Sequence, residues 1–257
     1  MLNDDDLIRF SRQIIIPGFE EEGQEILMSK SIIIVGAGGL GCPTAMYCAA
    51  AGFGNIEIWD HDIVELSNLN RQIGHTVNDI GTKKSVSLSE TCKKINPNIN
   101  IHSKNKTFEL DNDLKKHDII FDCSDNFKSR YIINEIAHKH RKTLISGSAT
   151  QFEGQVSVFK SGLYNDFPCY ECVFPKTTET FMNFNCREAG ILGSVTNLIA
   201  SLQVTEGIRE SLIKNKHKNN NFFLNKSNAG YLILYDAALQ EMTKIKINKN
   251  LKCKICN

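Results

Sequence analysis

Hydrophobic and polar positions divide the first 150 residues into two alternating kinds of segment. Short apolar runs rich in β-branched residues predict strands at 32–35, 56–60, 98–103, 118–123 and 143–146. Segments with helical character lie between most of these strands, at 41–52, 81–95 and 128–141. Strands that alternate with helices predict a mainly parallel, Rossmann-like sheet that is covered by helices on both faces.

The pattern changes after about residue 150. The segments "FEGQVSVFK", "YLILYD" and "TKIKIN" predict strands that pair antiparallel, and a helix is predicted at 190–212, between the first two. The expected fold class is therefore α/β, with a mainly parallel sheet that continues into antiparallel strands in the C-terminal part of the chain.

Composition narrows the possible functions. The chain has 257 residues and a formal net charge of +1, so it lacks the positive field that captures nucleic acid or anionic membrane. The acidic opening "MLNDDDLIRF" does not resemble a secretory signal, and the longest apolar stretches are interrupted by polar residues. Nine cysteines without such a signal indicate a reducing compartment. We therefore expect a cytoplasmic protein.

A glycine-rich turn follows the first predicted strand. In "VGAGGLGC", Gly36, Gly38 and Gly41 form a G-x-G-x-x-G pattern that leads into a predicted helix. Such a turn lets the backbone approach a phosphate and directs helix N–H groups at it. Asp60 ends the next predicted strand, where a carboxylate can accept from ribose hydroxyls. These features predict a bound nucleotide, but they favour NAD or FAD at least as much as ATP.

A cluster of polar residues follows the second strand and favours cleavage of a phosphate bond. The segment "DHDIVELSNLNRQ" contains Asp62, Asn68 and Arg71, and Lys84 follows near the start of the next helix. Hydride transfer leaves a dinucleotide pyrophosphate intact, whereas breaking a phosphoanhydride requires fixed cations around the reacting phosphate. The alternative interpretation is a solvated, charged loop.

A second acidic segment, "DCSDN", follows the fourth predicted strand. Ligands of open α/β sheets bind at the carboxyl ends of the strands. Asp125 is therefore a candidate ligand of a Mg²⁺ ion that bridges nucleotide phosphates. The alternative role for Asp125 is to cap the helix that follows it.

Two C-x₂-C pairs predict a structural zinc site. Four thiolates complete a tetrahedral shell and leave no open position for catalysis, and disulfides or a redox pair explain the symmetry less well. The predicted ligands are Cys169, Cys172, Cys253 and Cys256. Four other cysteines are interpreted as buried packing residues: Cys42, Cys48, Cys92 and Cys123. Cys186, in "NFNCREAG", is either a nucleophile beside Arg187 or a thiol without a function.

Together these motifs resemble the ThiF/MoeB family, the bacterial relatives of ubiquitin-activating enzymes, over essentially the whole chain. The segments that carry the resemblance are "RFSRQIIIPGFEEEGQEIL", "VGAGGLGCPTA", "DHDIVELSNLNRQ", "DCSDN", "EGQVSVF", "CYEC", "NCREAG" and "CKIC". The resemblance implies an ATP-dependent adenylyltransferase that activates the C-terminal glycine of a small ubiquitin-like sulfur carrier of the ThiS or MoaD type.

The resemblance also implies roles for individual residues. It places the ATP phosphates over Gly36, Gly38, Gly39 and Gly41, and the ribose on Asp60, with Asp62 nearby. The triphosphate contacts would come from Asn68, Arg71 and Lys84, with Lys83 as the alternative lysine, and Asp125 would hold Mg²⁺. Arg130 matches another basic position near the phosphates. Arg12 matches an arginine that enters the ATP site of the neighbouring subunit, so a homodimer is implied.

The expected organisation is a single adenylation domain. Residues 1–28 would form a helical arm, 29–150 the nucleotide-binding part, and 151–257 the carrier-binding and zinc part. "NCREAG" resembles the thiamin branch and "EGQVSVF" the molybdopterin branch, so the carrier stays open; the sulfur donor is expected to be a separate protein. The alternative enzyme is a relative that activates a non-protein carboxylate, such as a tRNA-modifying cyclase. A redox enzyme or a nucleotide-binding scaffold would leave the polar cluster without a role.

Overall fold

Eight strands form one sheet in the computed structural model, which describes residues 1–109, 114–176, 190–213 and 226–257. In chain order they are β1 (Ser31–Val35), β2 (Asn55–Trp59), β3 (Asn100–Lys104), β4 (Ile119–Asp122), β5 (Thr143–Thr150), β6 (Glu153–Phe159), β7 (Tyr231–Asp236) and β8 (Glu241–Lys246). Their order across the sheet is β3-β2-β1-β4-β5-β6-β7-β8.

The first five strands run parallel, and β6, β7 and β8 pair antiparallel. The predicted change from a parallel to an antiparallel pattern is confirmed, and so is the fold class. Strand β1 pairs with β2 on one side and β4 on the other, and Val35 stands level with both Trp59 and Asp122. The carboxyl ends of these three strands therefore meet where the chain reverses its direction of winding, the position at which open α/β sheets bind ligands.

The helices of the described residues lie along both sides of this sheet. They are α1 (Asp4–Arg9), α2 (Ser11–Ile14), α3 (Glu20–Ser29), α4 (Gly41–Ala51), α5 (Lys84–Ile95), α6 (Phe127–Lys139), α7 (Tyr170–Val173) and α8 (Gly193–Leu212). Within the described ranges, none of them is both long and apolar enough to cross a membrane.

Alternation along β1 separates the two cores. Ile32 and Ile34 face one core together with side chains of α4, α5 and α8, whereas Ile33 and Val35 face the other, with α6. Both faces of a strand in such a sheet are buried, which explains the uninterrupted apolar run "IIIV". The four cysteines interpreted as packing residues are all buried in the first core, so that prediction is confirmed: Cys42, Cys48, Cys92 and Cys123.

The N-terminal helices are anchored to the end of α4. The Nε2 atoms of Gln13 and Gln24 both donate to the carbonyl oxygen of Ala51, at 3.1 and 3.0 Å. Gln13 also donates to Oε1 of Gln24 at 2.7 Å. Arg12 lies on the exposed side of α2. The arm is therefore attached through its glutamines, while Arg12 points away from the chain's own core.

Candidate active site

A cavity of about 710 Å³ opens at the carboxyl ends of β1, β2 and β4. It falls within the size range of small-molecule and cofactor sites. Most of the residues that the sequence singled out line it: Gly36, Gly38, Gly39, Asp60, Asp62, Asn68, Arg71, Lys84, Asp125 and Arg130. The structure thus brings together residues from four separate segments of the chain.

The glycine turn forms the floor of this cavity, and two of its glycines are required by its geometry. Gly36 has a φ of +103°, and a Cβ atom there would lie 2.6 Å from the carbonyl oxygen of Cys123. A Cβ atom on Gly41 would lie 1.8 Å from the carbonyl oxygen of Gly36. Helix α4 begins at Gly41, so its N-terminus lies at this turn. The arrangement is typical of a phosphate-binding turn.

Asp60 connects the end of β2 to this turn. Its two carboxylate oxygens accept the backbone N–H groups of Ala37, at 2.7 Å, and of Asp62, at 2.8 Å. Carboxylate oxygens can accept further hydrogen bonds. Contact between Asp60 and a ribose stays a prediction.

Of the two lysine candidates, only Lys84 lines the cavity. Its Nζ atom lies 3.0 Å from Oδ2 of Asp62, and its side chain is buried. Lys83 is exposed and occupies the N-cap position of α5. An ammonium group has three donors, so pairing with Asp62 does not exhaust the capacity of Lys84.

The side chain of Arg71 is hydrogen-bonded to the loop that follows β2. Its Nη1 atom donates to the carbonyl oxygen of Ser67 at 3.1 Å and to Oδ1 of Asn70 at 3.0 Å. The N-terminus of α8 packs against the same backbone, because a Cβ atom on Gly193 would lie 2.7 Å from the carbonyl oxygen of Asn70. Asn68 is buried, and its Oδ1 accepts from the N–H of Glu65 at 3.1 Å. Arg71 and Asn68 are therefore well ordered by protein contacts.

The structure tests one of the two roles considered for Asp125, that of helix cap, while its role as a Mg²⁺ ligand stays a prediction. Asn126 is the N-cap of α6 and accepts from the N–H of Ser129 at 2.9 Å. Asp125 is exposed and lines the cavity, and its Oδ1 accepts from Nδ2 of Asn126 at 3.1 Å. The cap is supplied by Asn126, so the capping role does not apply to Asp125.

Arg130 lines the cavity, but its guanidinium group is engaged by the protein. Nη1 donates to Oδ2 of Asp122 at 3.2 Å and to the carbonyl oxygen of Gly147 at 2.8 Å. It also donates to Oγ of Ser146, and Nη2 donates to the carbonyl oxygen of Ser124. The whole group is buried. Arg130 therefore joins β4 and β5 to the loop that carries Asp125, and its contact with phosphate stays a prediction.

Sequence reasoning missed an aromatic wall of the cavity. Trp59 and Phe108 meet edge to face with ring centroids 5.2 Å apart, and Nζ of Lys106 lies 5.2 Å from the Trp59 ring. Lys106 and Phe108 follow the carboxyl end of β3. The rule that ligands bind at the carboxyl ends of strands was therefore the sequence signal by which these two residues could have been predicted to line the site.

The four cysteines of the C-x₂-C pairs converge as predicted. Their sulfur atoms lie within 4.8 Å of one another, with Cys169 3.5 Å from Cys253 and Cys172 3.4 Å from Cys256. Tetrahedral zinc with bonds of about 2.3 Å separates its sulfur ligands by roughly 3.8 Å. The cluster therefore has the dimensions and the donor set of a structural zinc site.

Burial affects the protonation of this cluster. It raises the pKa of the Cys256 thiol to about 12 and also raises that of Cys169. Burial acts in the same direction on Cys253, but hydrogen bonds from the backbone of Cys256 and Ile255 outweigh it, and the pKa of Cys253 is lowered. Zinc ligation requires thiolates, so zinc binding would release protons from the buried thiols. The nucleophile candidate Cys186 lies outside the described residues.

Comparison with known proteins identifies the family. The ThiF family matches residues 10–255, which is nearly the whole chain. The chain belongs to the ThiF family.

Curated relatives of this ThiF-family chain include two proteins named adenylyltransferase and sulfurtransferase MOCS3. The one from Xenopus laevis is 36% identical over 260 residues, covering 100% of this chain and 55% of the relative. The one from Dictyostelium discoideum is 37% identical over 259 residues, covering 99% and 58%. The chain therefore spans little more than half the length of these relatives.

Among solved structures, E. coli MccB in complex with MccA-N7isoASN superimposes with a TM-score of 0.77 at 18% sequence identity. The match covers 99% of this chain and 75% of that one. At this level of identity, the similarity shows that the fold is shared.

Proposed function

We propose that this ThiF-family chain transfers AMP from ATP to the terminal carboxylate of a ubiquitin-like sulfur-carrier protein. The observation that carries the proposal is the convergence of Arg71, Lys84 and Asp125 on one cavity above a glycine turn. The names of the MOCS3 relatives include adenylyltransferase and support the same reaction.

The chemistry needs alignment more than it needs a base. An α-carboxylate has a pKa of about 3.5 and is already ionised at neutral pH. One of its oxygens attacks the α-phosphorus of ATP, the bond from that phosphorus to the β-phosphate bridge oxygen breaks, and pyrophosphate leaves. The products are an acyl-adenylate and pyrophosphate. The site must hold two anions in line and offset their repulsion.

The cations of the cavity are suited to this task. Lys84 is buried, and its pairing with Asp62 holds the ammonium group at the edge of the cavity. Arg71 is fixed through Nη1, and its Nε and Nη2 donors could make a bidentate contact with phosphate oxygens. Both residues are proposed to contact the triphosphate, with Asn68 beside them. Asp60 is proposed to bind the ribose.

Asp125 is proposed as a ligand of Mg²⁺. The ion takes one or two protein carboxylates together with phosphate oxygens and water, and Asp125 presents an exposed carboxylate to the cavity. When bound with ATP, Mg²⁺ would neutralise part of the phosphate charge.

Zinc is proposed as a structural ion on the four clustered cysteines. Cys169 and Cys172 lie around α7, whereas Cys253 and Cys256 lie in the last turn of the chain. A shared ion would join these two segments, which are 84 residues apart between the contacting sulfurs. Four thiolates leave no open position, so the ion would not act in catalysis.

The proposed partners are a carrier and a second copy of this chain. A MoaD-type carrier is the first candidate, because the segment "EGQVSVF" resembles the molybdopterin branch of the family. Arg12 is exposed and is absent from the described lining of its own cavity, which agrees with a role in the neighbouring subunit. Large apolar side chains near Arg12 and Arg71 are exposed in the single chain and suit a subunit interface: Ile8, Ile15, Leu66, Ile73 and Val77.

Pyrophosphate exchange into ATP tests the proposal. Purified chain with Mg²⁺ is assayed alone, with a MoaD-type carrier, with a ThiS-type carrier and with tRNA. We expect exchange that depends on a carrier and is strongest with the MoaD type. Exchange with tRNA and with neither carrier would replace the proposal by activation of a non-protein carboxylate.

A further inference from the structure

We propose that Gln72 is an additional nucleotide-binding residue, whose carboxamide hydrogen-bonds the phosphate–ribose part of the nucleotide above Gly38. This inference rests on the proposed function, because it assumes that the cavity holds ATP. Two independent observations support it: the position of the Gln72 side chain over the glycine turn, and a buried oxygen that has no partner.

The backbone of Gln72 is fixed on both sides. Its N–H donates to the carbonyl oxygen of Asn68 at 2.9 Å, and its carbonyl oxygen accepts from the N–H of His75 at 3.1 Å. The residue is only 4% exposed and lines the cavity. A Cβ atom built on Gly38 would lie 3.6 Å from Nε2 of Gln72. The carboxamide therefore lies directly over the middle of the glycine turn.

The Oε1 atom of Gln72 is buried and has no hydrogen-bond partner among the described residues. Its neighbours show that the surroundings are otherwise well paired. Oδ1 of Asn68 accepts from Glu65, and both ring nitrogens of His75 have partners. An unpaired buried amide oxygen is costly, and such groups in native structures call for an explanation. A ligand that fills the cavity provides one.

A nucleotide has the groups that a carboxamide requires. Phosphate oxygens accept hydrogen bonds and ribose hydroxyls donate them, whereas a carboxamide both donates through Nε2 and accepts through Oε1. The start of α4 at the same turn favours phosphate there. Arg71 and Lys84 supply the charge, and Gln72 would add directional contacts without changing the charge of the site. Its role is to orient the nucleotide.

The test compares Gln72→Met with wild-type chain in two measurements: the melting temperature without nucleotide and the affinity for a non-hydrolysable ATP analogue with Mg²⁺. Met has a similar length and no unpaired amide. We expect the melting temperature to stay the same or rise, and the dissociation constant to increase about tenfold, the size expected from losing one or two hydrogen bonds to a charged ligand.

Gln24→Met is the matched control. Gln24 is fully buried, and its carboxamide is paired through Oε1 to Gln13 and through Nε2 to Ala51. It lies outside the described lining of the cavity. We expect this variant to melt at a lower temperature and to bind the analogue as the wild type does. The two glutamines should therefore show opposite patterns of stability and affinity.

A Gln72→Met variant that binds the analogue as tightly as the wild type, or that loses stability as Gln24→Met does, would overturn the inference. If Gln72→Met does not fold, Gln72→Glu serves instead, with an expected loss of ATP affinity and no loss of adenosine affinity; equal losses would overturn it. Failure of the proposed function looks different. In that case the wild type binds the analogue, and Gln72 still contributes, but no carrier supports pyrophosphate exchange.

Discussion

The Nε2 atom of His75 lies 3.0 Å from the carbonyl oxygen of Ala37, the residue between the first two glycines of the glycine turn. A carbonyl oxygen can only accept, so Nε2 carries the hydrogen in this contact. Nδ1 then accepts from the hydroxyl group of Ser87 at 2.8 Å. Burial lowers the pKa of His75 and favours this neutral form. The imidazole therefore supports the glycine turn from outside the described lining of the cavity.

His75→Ala is predicted to weaken both folding and ATP binding. It leaves the carbonyl of Ala37 and the hydroxyl of Ser87 without this partner, which costs about 1–3 kcal/mol of unfolding free energy. The KM for ATP should rise because the turn is less well held. Denaturant unfolding and exchange kinetics measure the two effects.

His138→Ala is the control for that variant. The Nδ1 atom of His138 contacts Oγ of Ser161 at 3.1 Å, and His138 lies outside the described lining of the cavity. It should lose stability without a change in KM for ATP. An unchanged KM in His75→Ala would show that the turn does not depend on His75.

Stability is predicted to fall on mild acidification. The pKa of His75 is below its ordinary value of 6.5 in the folded chain, so the unfolded chain binds the proton more readily. The stabilisation that neutral His75 contributes to the folded chain is complete above pH 6.5. It is lost as the pH falls towards the pKa of His75 in the folded chain. Burial lowers the pKa of His138 in the same direction, whereas burial raises that of Glu206 and opposes the trend.

Unfolding free energies of wild type and His75→Gln, measured between about pH 5 and 7.5, isolate the His75 contribution. Gln keeps an N–H donor for Ala37 but does not titrate. The difference in stability between the two proteins should shrink as the pH falls. A difference that is constant with pH would exclude His75 as a source of the acid sensitivity.

Neighbouring lysines are predicted to differ sharply in their effect on pyrophosphate exchange. Lys84→Ala removes a buried cation from the cavity and should reduce exchange by about 100-fold or more. Lys83→Ala changes an exposed residue and should leave exchange within about twofold of wild type. Equal losses in the two variants would mean that Lys84 does not act on the triphosphate.

Zinc removal is predicted to destabilise the protein as a whole. The wild-type chain is expected to hold about one zinc ion on its four clustered cysteines. Cys172→Ser should hold less zinc and melt at a lower temperature, because metal binding and folding are coupled. Cys92→Ala is the control, since Cys92 is buried in the sheet core and should retain the metal. If chelated, metal-free chain melts at the same temperature as untreated chain, the structural role of zinc is wrong.

Complementation between two inactive variants tests the position of Arg12. Arg12→Ala and Asp125→Ala should each abolish exchange. In a mixture that re-equilibrates its subunits, a mixed dimer regains one intact site, so about a quarter of the wild-type activity should return. No recovery from subunits that demonstrably exchange would place Arg12 outside the neighbouring site.

Local patterns in the sequence were sufficient for much of this fold and site. The glycine turn at Gly36 could be predicted from the strand–turn–helix pattern around it. The cysteine pairs that begin at Cys169 and Cys253 could be recognised because the two cysteines of each pair are only three residues apart. By contrast, His75 contacts Ala37 across 38 positions in the chain, and Gly193 packs on Asn70 across an even longer separation. Such contacts depend on how α5 and α8 pack on α4. This packing cannot be predicted from a local sequence pattern.

The orientation of side chains was the second feature that could not be predicted from the sequence. The sequence pattern around a cationic residue is the same whether its side chain faces a bound phosphate or other groups of the protein. Arg130 illustrates this, because its guanidinium group is surrounded by Asp122, Ser124 and Gly147. The choice between Asp125 and its neighbour as the helix cap also required the structure. Contact geometry decided which residue caps the helix, whereas a phosphate contact of Arg130 stays a prediction.

The intact mass of the carrier after incubation with the chain, ATP and Mg²⁺ tests the central claim most directly. We predict that a MoaD-type carrier with its terminal glycine gains the mass of one AMP unit, that a carrier without this glycine gains nothing, and that Lys84→Ala chain gives no product. Full consumption of ATP with the carrier mass unchanged would contradict the account.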